Sequence, residues 1–584
     1  VKIGTVIISD GTNILAQQSY PEPISRVSYA RTADGGSTWG TTGNPTPGES
    51  NATSTFATVQ LPAPVVDTPA KLFGSPFTVR VTIPDGATLR YTADGTAPTL
   101  TNGATSSNGV FSVDATICYR FRLFKDGFLP STVVTRSYIE DSDNEPFPII
   151  SIVTDSKNIY GTYGVFSQSA NGRPGNGQTS ACNWNMDWDR PVNFEYITTD
   201  GECVVSQECD FATCGGWSRA WTPHAFKLKA KKTYELQNTF DYQFFDNKPF
   251  LKHKTLQIRN GGNDTSARIK DAAIQGIIEE SGIYADYQSW KPVHVFINGS
   301  SYAVLNMREP NNKDFAYSNY GYDTDLIDQF EISPDSGYVQ MRGTEDSFLR
   351  WYDLSANAAD ESTYKEISNL VDIDNYVNYM ALEFYMGNWD WPQNNVKGFR
   401  SQEDGKFHFV LFDLDGALST NTPLSVFFGK QNYQFDTLHG YDYSKNQSIE
   451  GRHNNLEIKF VTIFRNMLQN AEFYKKFIDA YCLVAGSVFT PELTQEVTYE
   501  RAGLLAQGNY VNPWGTASQI VSGFSSRQAN LINHLQNYFW IDSSLRFNAS
   551  LSSNIDEGRI MLNDQPVPTG KFSGPLFLPV TLRA

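Results

Sequence analysis

The chain has 584 residues, 40% of them hydrophobic and 14% aromatic, with a formal net charge of −17. That length allows three or four domains with sizeable cores. The acidic balance argues against nucleic acid as the main partner and against an anionic membrane surface, since both are held by Lys/Arg patches. No run of 18 apolar residues occurs, so no segment is read as spanning a membrane.

Residues 1–55 are short, alternating and turn-rich, and they already look like the inside of a β domain. The chain therefore reads as part of a longer exported precursor, whose signal or lipid anchor lies outside it. The run from Ser28 to Asn51 carries an Arg, an Asp-Gly pair, a Trp and then T-P-G-E-S-N. It resembles the end of a lamin-tail-like domain, which implies a structural or adhesive role.

Residues 60–140 form a second all-β unit. F-T-V-R-V-T-I and A-T-L-R-Y-T alternate with period two on either side of a Pro-Asp-Gly turn. L-R-Y-T-A-D-G-T-A-P-T resembles the small C-terminal β-sandwich of chitobiase-type hexosaminidases, a spacer with sugar binding as the alternative.

The main domain spans 145–542 and is mixed α+β. F-P-I-I-S-I-V-T, P-V-N-F-E-Y-I, A-F-K-L-K-A and T-L-Q-I-R-N predict strands, and a helix is expected at about Ala267 to Ser281. W-K-P-V-H-V-F-I-N-G-S-S-Y-A-V-L-N-M-R-E predicts a hairpin turning at Asn298-Gly299. Helical spacing dominates after about Asp372. Residues 543–584 turn β-like again. Cys182, Cys203, Cys209 and Cys214 cluster without a His at ligand spacing, a poor zinc signature, so one or two disulfides are expected.

The chemistry concentrates between Asn388 and Gly416. Asp390 precedes Asn395 by five positions, and Asp413 follows four apolar residues. Pro392 stops the preceding helix, so Asp390 is expected on a loop. Phosphoryl transfer from ATP uses one carboxylate for the acceptor hydroxyl's proton, and an amide with a second carboxylate for magnesium. D-x-x-x-x-N followed by an Asp ending a strand is the order found in protein kinases. Asp413 and Asp415 together offer oxygen ligands for one or two metal ions. A rival reading exists, because F-V-L-F-D-L-D-G also opens haloacid-dehalogenase phosphatases. The sequel here is aromatic and lacks G-D-x-x-x-D.

Phosphate ligands are expected upstream. His224, Lys227 and Lys229 lie around a strand on which Phe226, Leu228 and Ala230 face one way and the lysines the other. Arg259, Asn260, Arg268 and Lys270 flank a Gly-Gly turn at a helix start that Asp264 or Thr265 would cap. Glu309 ends the hairpin, either as an anchor between lobes or as a surface residue.

Together the P-x-x-F-K-L segment, L-Q-I-R-N-G-G-N-D with Lys-Asp after it, V-F-I-N-G-x-x-Y-x-V-L-x-M-R-E, N-x-D-W-P-x-N-N-V and F-D-L-D resemble the CotH kinase family. They stand in order between Pro223 and Asp415, inside the main domain of 145–542. The resemblance implies a multidomain protein with a two-lobed, protein-kinase-like α+β core between flanking β-sandwich modules. It implies an exported bacterial enzyme, at the cell surface or extracellular, that uses ATP and Mg²⁺ (or Mn²⁺) on a Ser/Thr hydroxyl or another acceptor. Asp390 becomes the catalytic base, Asn395 and Asp413 metal ligands, and Asp415 their support. His224, Lys227, Lys229, Arg259 and Glu309 become the ATP-binding set. His224 stands where the family often has Lys, and Lys270-Asp271 where it often has Arg-Asp. A weak or inactive kinase-like protein that binds glycan or protein is therefore the alternative.

Overall fold

A computed structural model describes residues 3–418 and 456–584, apart from positions 23, 25–26, 142–143, 236, 334–336, 393, 404 and 554–557. Seven strands close into a barrel in the order Ile149–Val153, Arg190–Ile197, Cys203–Thr213, Phe226–Ala230, Thr255–Arg259, Ser300–Arg308 and Trp290–Ile297. All but Cys203–Thr213 were read from apolar runs or period-two alternation. Phe226, Leu228 and Ala230 are buried while Lys227 and Lys229 stay half-exposed, as the alternation requires. Asn298 and Gly299 both take positive φ, 49° and 80°, which the two-residue hairpin turn demands.

The chain divides into two compact units. The first comprises Val1–Tyr242, Leu251–Leu256 and Val293–Leu305. Its N-terminal part holds two hairpins, Gly4–Ser9 with Ile14–Tyr20 and Ser28–Arg31 with Trp39–Thr42. A five-stranded sheet and the Phe77–Arg80/Val110–Val113 pair then enclose a core that includes Leu89, Phe111, Phe121 and Tyr138. Both stretches are built of β-strands, with a short 3-10 turn at Asn51–Thr53 between them.

None of the six cysteines is in a disulfide, so the expected disulfides do not form. Cys209 faces Val192 and Ala230 across its ladders and Cys203 faces Ile197, so neither is set against another cysteine. Burial pushes the Cys118 and Cys203 thiols up to about 12, and they pack as small apolar side chains.

The second unit comprises Gln243–Phe250, Gln257–Pro292 and Asn306–Ala584. The helix near the Gly-Gly turn starts at Lys270, three residues later than expected, and runs to Ser281. The Asp264 carboxylate fixes that start by accepting the Ile269 and Lys270 N–H groups (2.7 and 2.8 Å). Four antiparallel strands form its sheet, in the order Gly337–Arg342, Ile327–Ser333, Val396–Ser401 and His408–Phe409. Helices supply most of the rest, including Ile373–Met386, Ala471–Leu483, Pro491–Leu505 and Trp514–Ser525. No helix among the described residues is long and apolar enough to cross a membrane. The last residues are β again, Arg546–Ser552 pairing with Lys571–Phe577.

The strand expected to end at Asp413 stops at Phe409. Val410, Leu411 and Phe412 are buried without a ladder beyond one bridge between Asp286 and Val410. Asp413 itself stands on a left-handed turn (φ 57°, ψ 47°). The phosphatase reading loses the strand-end Asp of a parallel α/β sheet that it requires.

One buried network ties this segment to the Ile373–Met386 helix. Asn375 accepts the Phe409 N–H (2.9 Å) and donates to Asp286 (3.0 Å). The Tyr320 hydroxyl lies within 2.7 and 2.9 Å of both Asp286 oxygens, and the Leu411 N–H donates to the Asp286 carbonyl (2.8 Å). Burial pushes the Asp286 carboxyl up to about 7. An Asn375→Leu change leaves a buried N–H and a buried carboxyl short of a partner. It is expected to cost about 2–4 kcal/mol in the urea unfolding free energy, whereas Asn378→Ala, on the exposed side, costs under about 1 kcal/mol.

Candidate active site

The Ile373–Met386 helix ends at Gly387, which takes the left-handed conformation that lets the chain leave the helix (φ 62°). The loop that follows carries Asp390, as expected. The Asn388 side-chain oxygen accepts the Asp390 N–H (3.2 Å), which sets the loop's first turn. Asp390 Oδ2 then accepts from the amides of Asn394 (2.7 Å) and Asn395 (3.2 Å). The candidate base and the first candidate metal ligand therefore touch. Because Asn395 spends its amide nitrogen on Asp390, its carbonyl oxygen is the atom left for a metal. Burial outweighs those hydrogen bonds, and with the Asp413 charge nearby it pushes the Asp390 carboxyl up to about 6.

Asn395 and Asp413 share an uncommon backbone, each with φ of 57°. Left-handed residues other than glycine cost energy and gather at functional sites. The turn from Asp413 to Gly416 is held from several sides. Arg259 donates through Nη2 to Asp413 Oδ1. Asp271 accepts the Leu414 N–H (2.9 Å). Asn263 donates its backbone N–H (2.6 Å) and its side-chain amide (3.3 Å) to Asp415. The Trp389 N–H donates to the Gly416 carbonyl (3.3 Å), joining the two acidic segments directly.

The Gly261-Gly262 turn makes this possible. Both glycines have positive φ, 88° and 58°. A Cβ on Gly262 would stand 2.1 Å from Asp415 Oδ2 and 3.5 Å from Asp413 Oδ1. The backbone thus leaves open the space that the two carboxylates share. Burial, reinforced by the Asp413 charge, holds the Asp415 carboxyl well above the usual carboxylate range. Asp271 is the opposite case. Burial alone would raise it, but Arg308 (2.8 Å), Gln275 and the Leu414 N–H together hold it below its ordinary value. The Lys270 ammonium is lowered by burial and partly restored by the Asp415 and Asp264 charges beside it.

A family model described as CotH kinase protein matches residues 211–539, more than half of the chain. This chain belongs to the CotH kinase family. The inner spore coat protein H of Bacillus subtilis (strain 168) is 29% identical over 101 residues, which is 17% of this chain. The match spans 28% of that relative's length. The crystal structure of a Helicobacter pylori proinflammatory kinase, CtkA, overlaps 52% of this chain and 98% of its own at 8% identity. Its TM-score is 0.24, too loose an overlap to assign a fold.

A CotH kinase implies a nucleotide and a divalent ion, and the donor set fits a hard cation. An amide oxygen at Asn395 and carboxylates at Asp413 and Asp415 are the ligands magnesium takes. The close approach of the Asp413 and Asp415 carboxylates to Gly262, which a Cβ would block, is the observation that favours the fit. Among the described residues no three His, Cys, Asp or Glu side chains already converge on one metal-sized point.

The other sequence-derived candidates have partners of their own. His224, Lys227 and Lys229 belong to the first unit. There His224 stacks on Phe166 with ring centroids 4.6 Å apart, faces the Arg219 carbonyl through Nδ1 (2.7 Å), and is lowered by burial. Lys227 is also lowered by burial, and Lys229 pairs with Asp189. Glu309 is buried, not a surface residue. It accepts the Ser289 N–H (2.9 Å) and the Asn319 amide (2.8 Å), with Lys248 at 3.8 Å. Its partners are those of an internal anchor. Sequence reasoning left Asn263, Asp271, Arg308 and Asn388 without roles. All four stand within the motifs that carry the CotH resemblance, G-G-N-D, the Lys-Asp after it, M-R-E and N-x-D-W-P, and that is the signal that could have found them.

A Gly262→Ala variant tests the shared space. The methyl group would meet Asp415, and the positive φ adds strain of about 1 kcal/mol. The variant is expected to lose the rise in unfolding temperature that ATP with Mg²⁺ gives the parent, while Gly321→Ala, at a positive φ in open space, keeps it.

Proposed function

We propose that this CotH kinase transfers the γ-phosphoryl group of ATP to a hydroxyl acceptor, a Ser or Thr of a protein or another alcohol. The observation that carries the proposal is the shared hydrogen bond between Asp390 and Asn395 beside Asp413. Asp390 accepts the acceptor's proton on its carboxylate, with the Asn394 and Asn395 amides orienting it through Oδ2. Asn395, Asp413 and Asp415 would hold the divalent ion, which would supply charge neutralisation at the phosphates. Arg259 orients Asp413, and Lys270 adds positive charge beside Asp415. The Gly261-Gly262 turn lets backbone approach the phosphates closely.

We assign the core to residues 145–542 as a two-lobed kinase-like domain and keep His224, Lys227 and Lys229 as its candidate phosphate ligands. Residues 1–55, 60–140 and 543–584 are accessory β modules, lamin-tail-like and chitobiase-like in the first two cases. The spore-coat relative supports an exported, surface-associated protein. A second reading has one observation in its favour: Arg259 already neutralises Asp413, as in a protein that binds without phosphoryl transfer.

Incubation with ATP labelled at the γ-phosphate, Mg²⁺ and casein separates the two. The parent is expected to label itself or casein. Asp390→Ala loses about 10²–10⁴-fold in rate but keeps its ATP-dependent thermal shift, whereas Asp413→Ala loses both. Because Asp390 must be ionised to accept a proton, kcat/KM is expected to rise with pH through about 6 and level above it. Absence of labelling together with a retained ATP shift would support the binding reading.

A further inference from the structure

Glu383 occupies the last turn of the Ile373–Met386 helix, and its carbonyl accepts the Gly387 N–H (3.1 Å) that closes it. Its side chain is buried, at 1% exposure, and neither carboxyl oxygen has a hydrogen-bond partner among the described residues. The Nδ2 of buried Asn388, just beyond the helix end, is equally without one. The Asn388 amide is nevertheless the polar group felt by Glu383, so the two side chains lie near each other. Asn388 Oδ1, in turn, accepts the Asp390 N–H, and a Cβ on Gly416 would stand 2.5 Å from that same oxygen. Asn388 is therefore wedged between the helix end, the Asp390 loop and the Asp413–Gly416 turn.

We propose that Glu383 is carried as the neutral acid and is a positioning residue for Asp390, acting through Asn388. This rests on the phosphoryl-transfer reading above. A neutral carboxyl has a carbonyl oxygen that can take the Asn388 N–H and an O–H of its own to donate. An ionised one in the same place would be an uncompensated buried charge and would draw water or cations under the loop. Burial pushes the carboxyl up to about 8, with Asn388 the group that opposes the rise. Tyr379, one turn back on the helix, is the ionisable group that feels its charge. On the packed elements, Asp479, Tyr481, Cys482 and His408 interact instead with other groups such as Lys475, Arg527 and Asp372.

Glu383→Gln keeps the shape and fixes the group as neutral, so the full chain carrying it is compared with the parent. A carboxyl raised in the folded state contributes stability that is complete below its unfolded value, near about 4.3, and is lost as pH rises to about 8. The parent's unfolding temperature is expected to fall over that window and the Gln variant's to fall less. With ATP, Mg²⁺ and casein, the Gln variant is expected to hold kcat at about pH 7 within about twofold of the parent. It should also lack the parent's fall of about threefold or more between about pH 7.5 and about pH 9, KM for ATP being unchanged in both. Asn388→Ala is expected to lower kcat about tenfold or more at constant KM. Parallel stability curves for parent and Gln variant, or a folded Gln variant that has lost kcat at about pH 7, would overturn the proposal. Absence of phosphoryl transfer in the parent would overturn the kinase reading and the positioning role with it. The stability curves would then still report whether Glu383 is neutral.

Discussion

Everything at the candidate site follows from crowding four carboxyls, those of Asp271, Asp390, Asp413 and Asp415, into a partly dry space. Two unit charges 4 Å apart repel by about 4 kcal/mol at an effective dielectric of 20, against a total stability of about 5–15 kcal/mol for a domain. Such a cluster persists only if each member is neutralised separately. Asp271 has Arg308, Asp413 has Arg259, Asp390 has two amides, and Asp415 holds its proton more tightly while accepting from Asn263. Arg259, Arg308 and the amides of Asn263, Asn394 and Asn395 are thus what let the acids stand together.

The Ile373–Met386 helix fixes the distance between the segments that carry these acids. Near its start Asn375 grips the chain at Phe409, four residues before Asp413. At its end Gly387 and Asn388 launch the loop that carries Asp390. A helix is stiff along its axis, so both segments are referred to one rigid element. The left-handed turns at Asn395 and Asp413 are the local strain accepted for aiming side chains back toward each other.

The sequence carried the strands, the hairpin turn and the acidic motif because each is a short-range signal. Period-two alternation at Phe226–Ala230 reports which face is buried, and Asn298-Gly299 reports a turn, without knowledge of any partner. The Asp413 segment shows the limit of that logic. Val410, Leu411 and Phe412 are as apolar as a strand, yet they are buried by side chains with almost no ladder, so composition alone mistook burial for pairing. Asp271 and Leu414 are 143 positions apart and Asn263 and Asp415 are 152 apart, distances over which no periodicity speaks. The cysteine cluster misled for the same reason. Spacing along the chain says nothing of which face a thiol occupies, and across their ladders Cys203 and Cys209 look at aliphatic side chains.

The overall charge of −17 would seem to oppose a polyanionic nucleotide. Charges on a solvated surface are screened within about 8–10 Å at physiological salt, so the total matters less than what stands at the site. There cations and carboxylates stand together: Arg259, Arg268 and Arg308 line a small cavity with Asp271, Asn306 and Gly261, and Lys270 stands beside Asp415. These cations are desolvated or half-buried, where their fields are strong, while much of the acidity elsewhere is spread over exposed Asp and Glu. Beside the Gly261-Gly262 turn it is therefore the local pairing of these cations with Asp271, Asp413 and Asp415, and not the total charge, that sets the field.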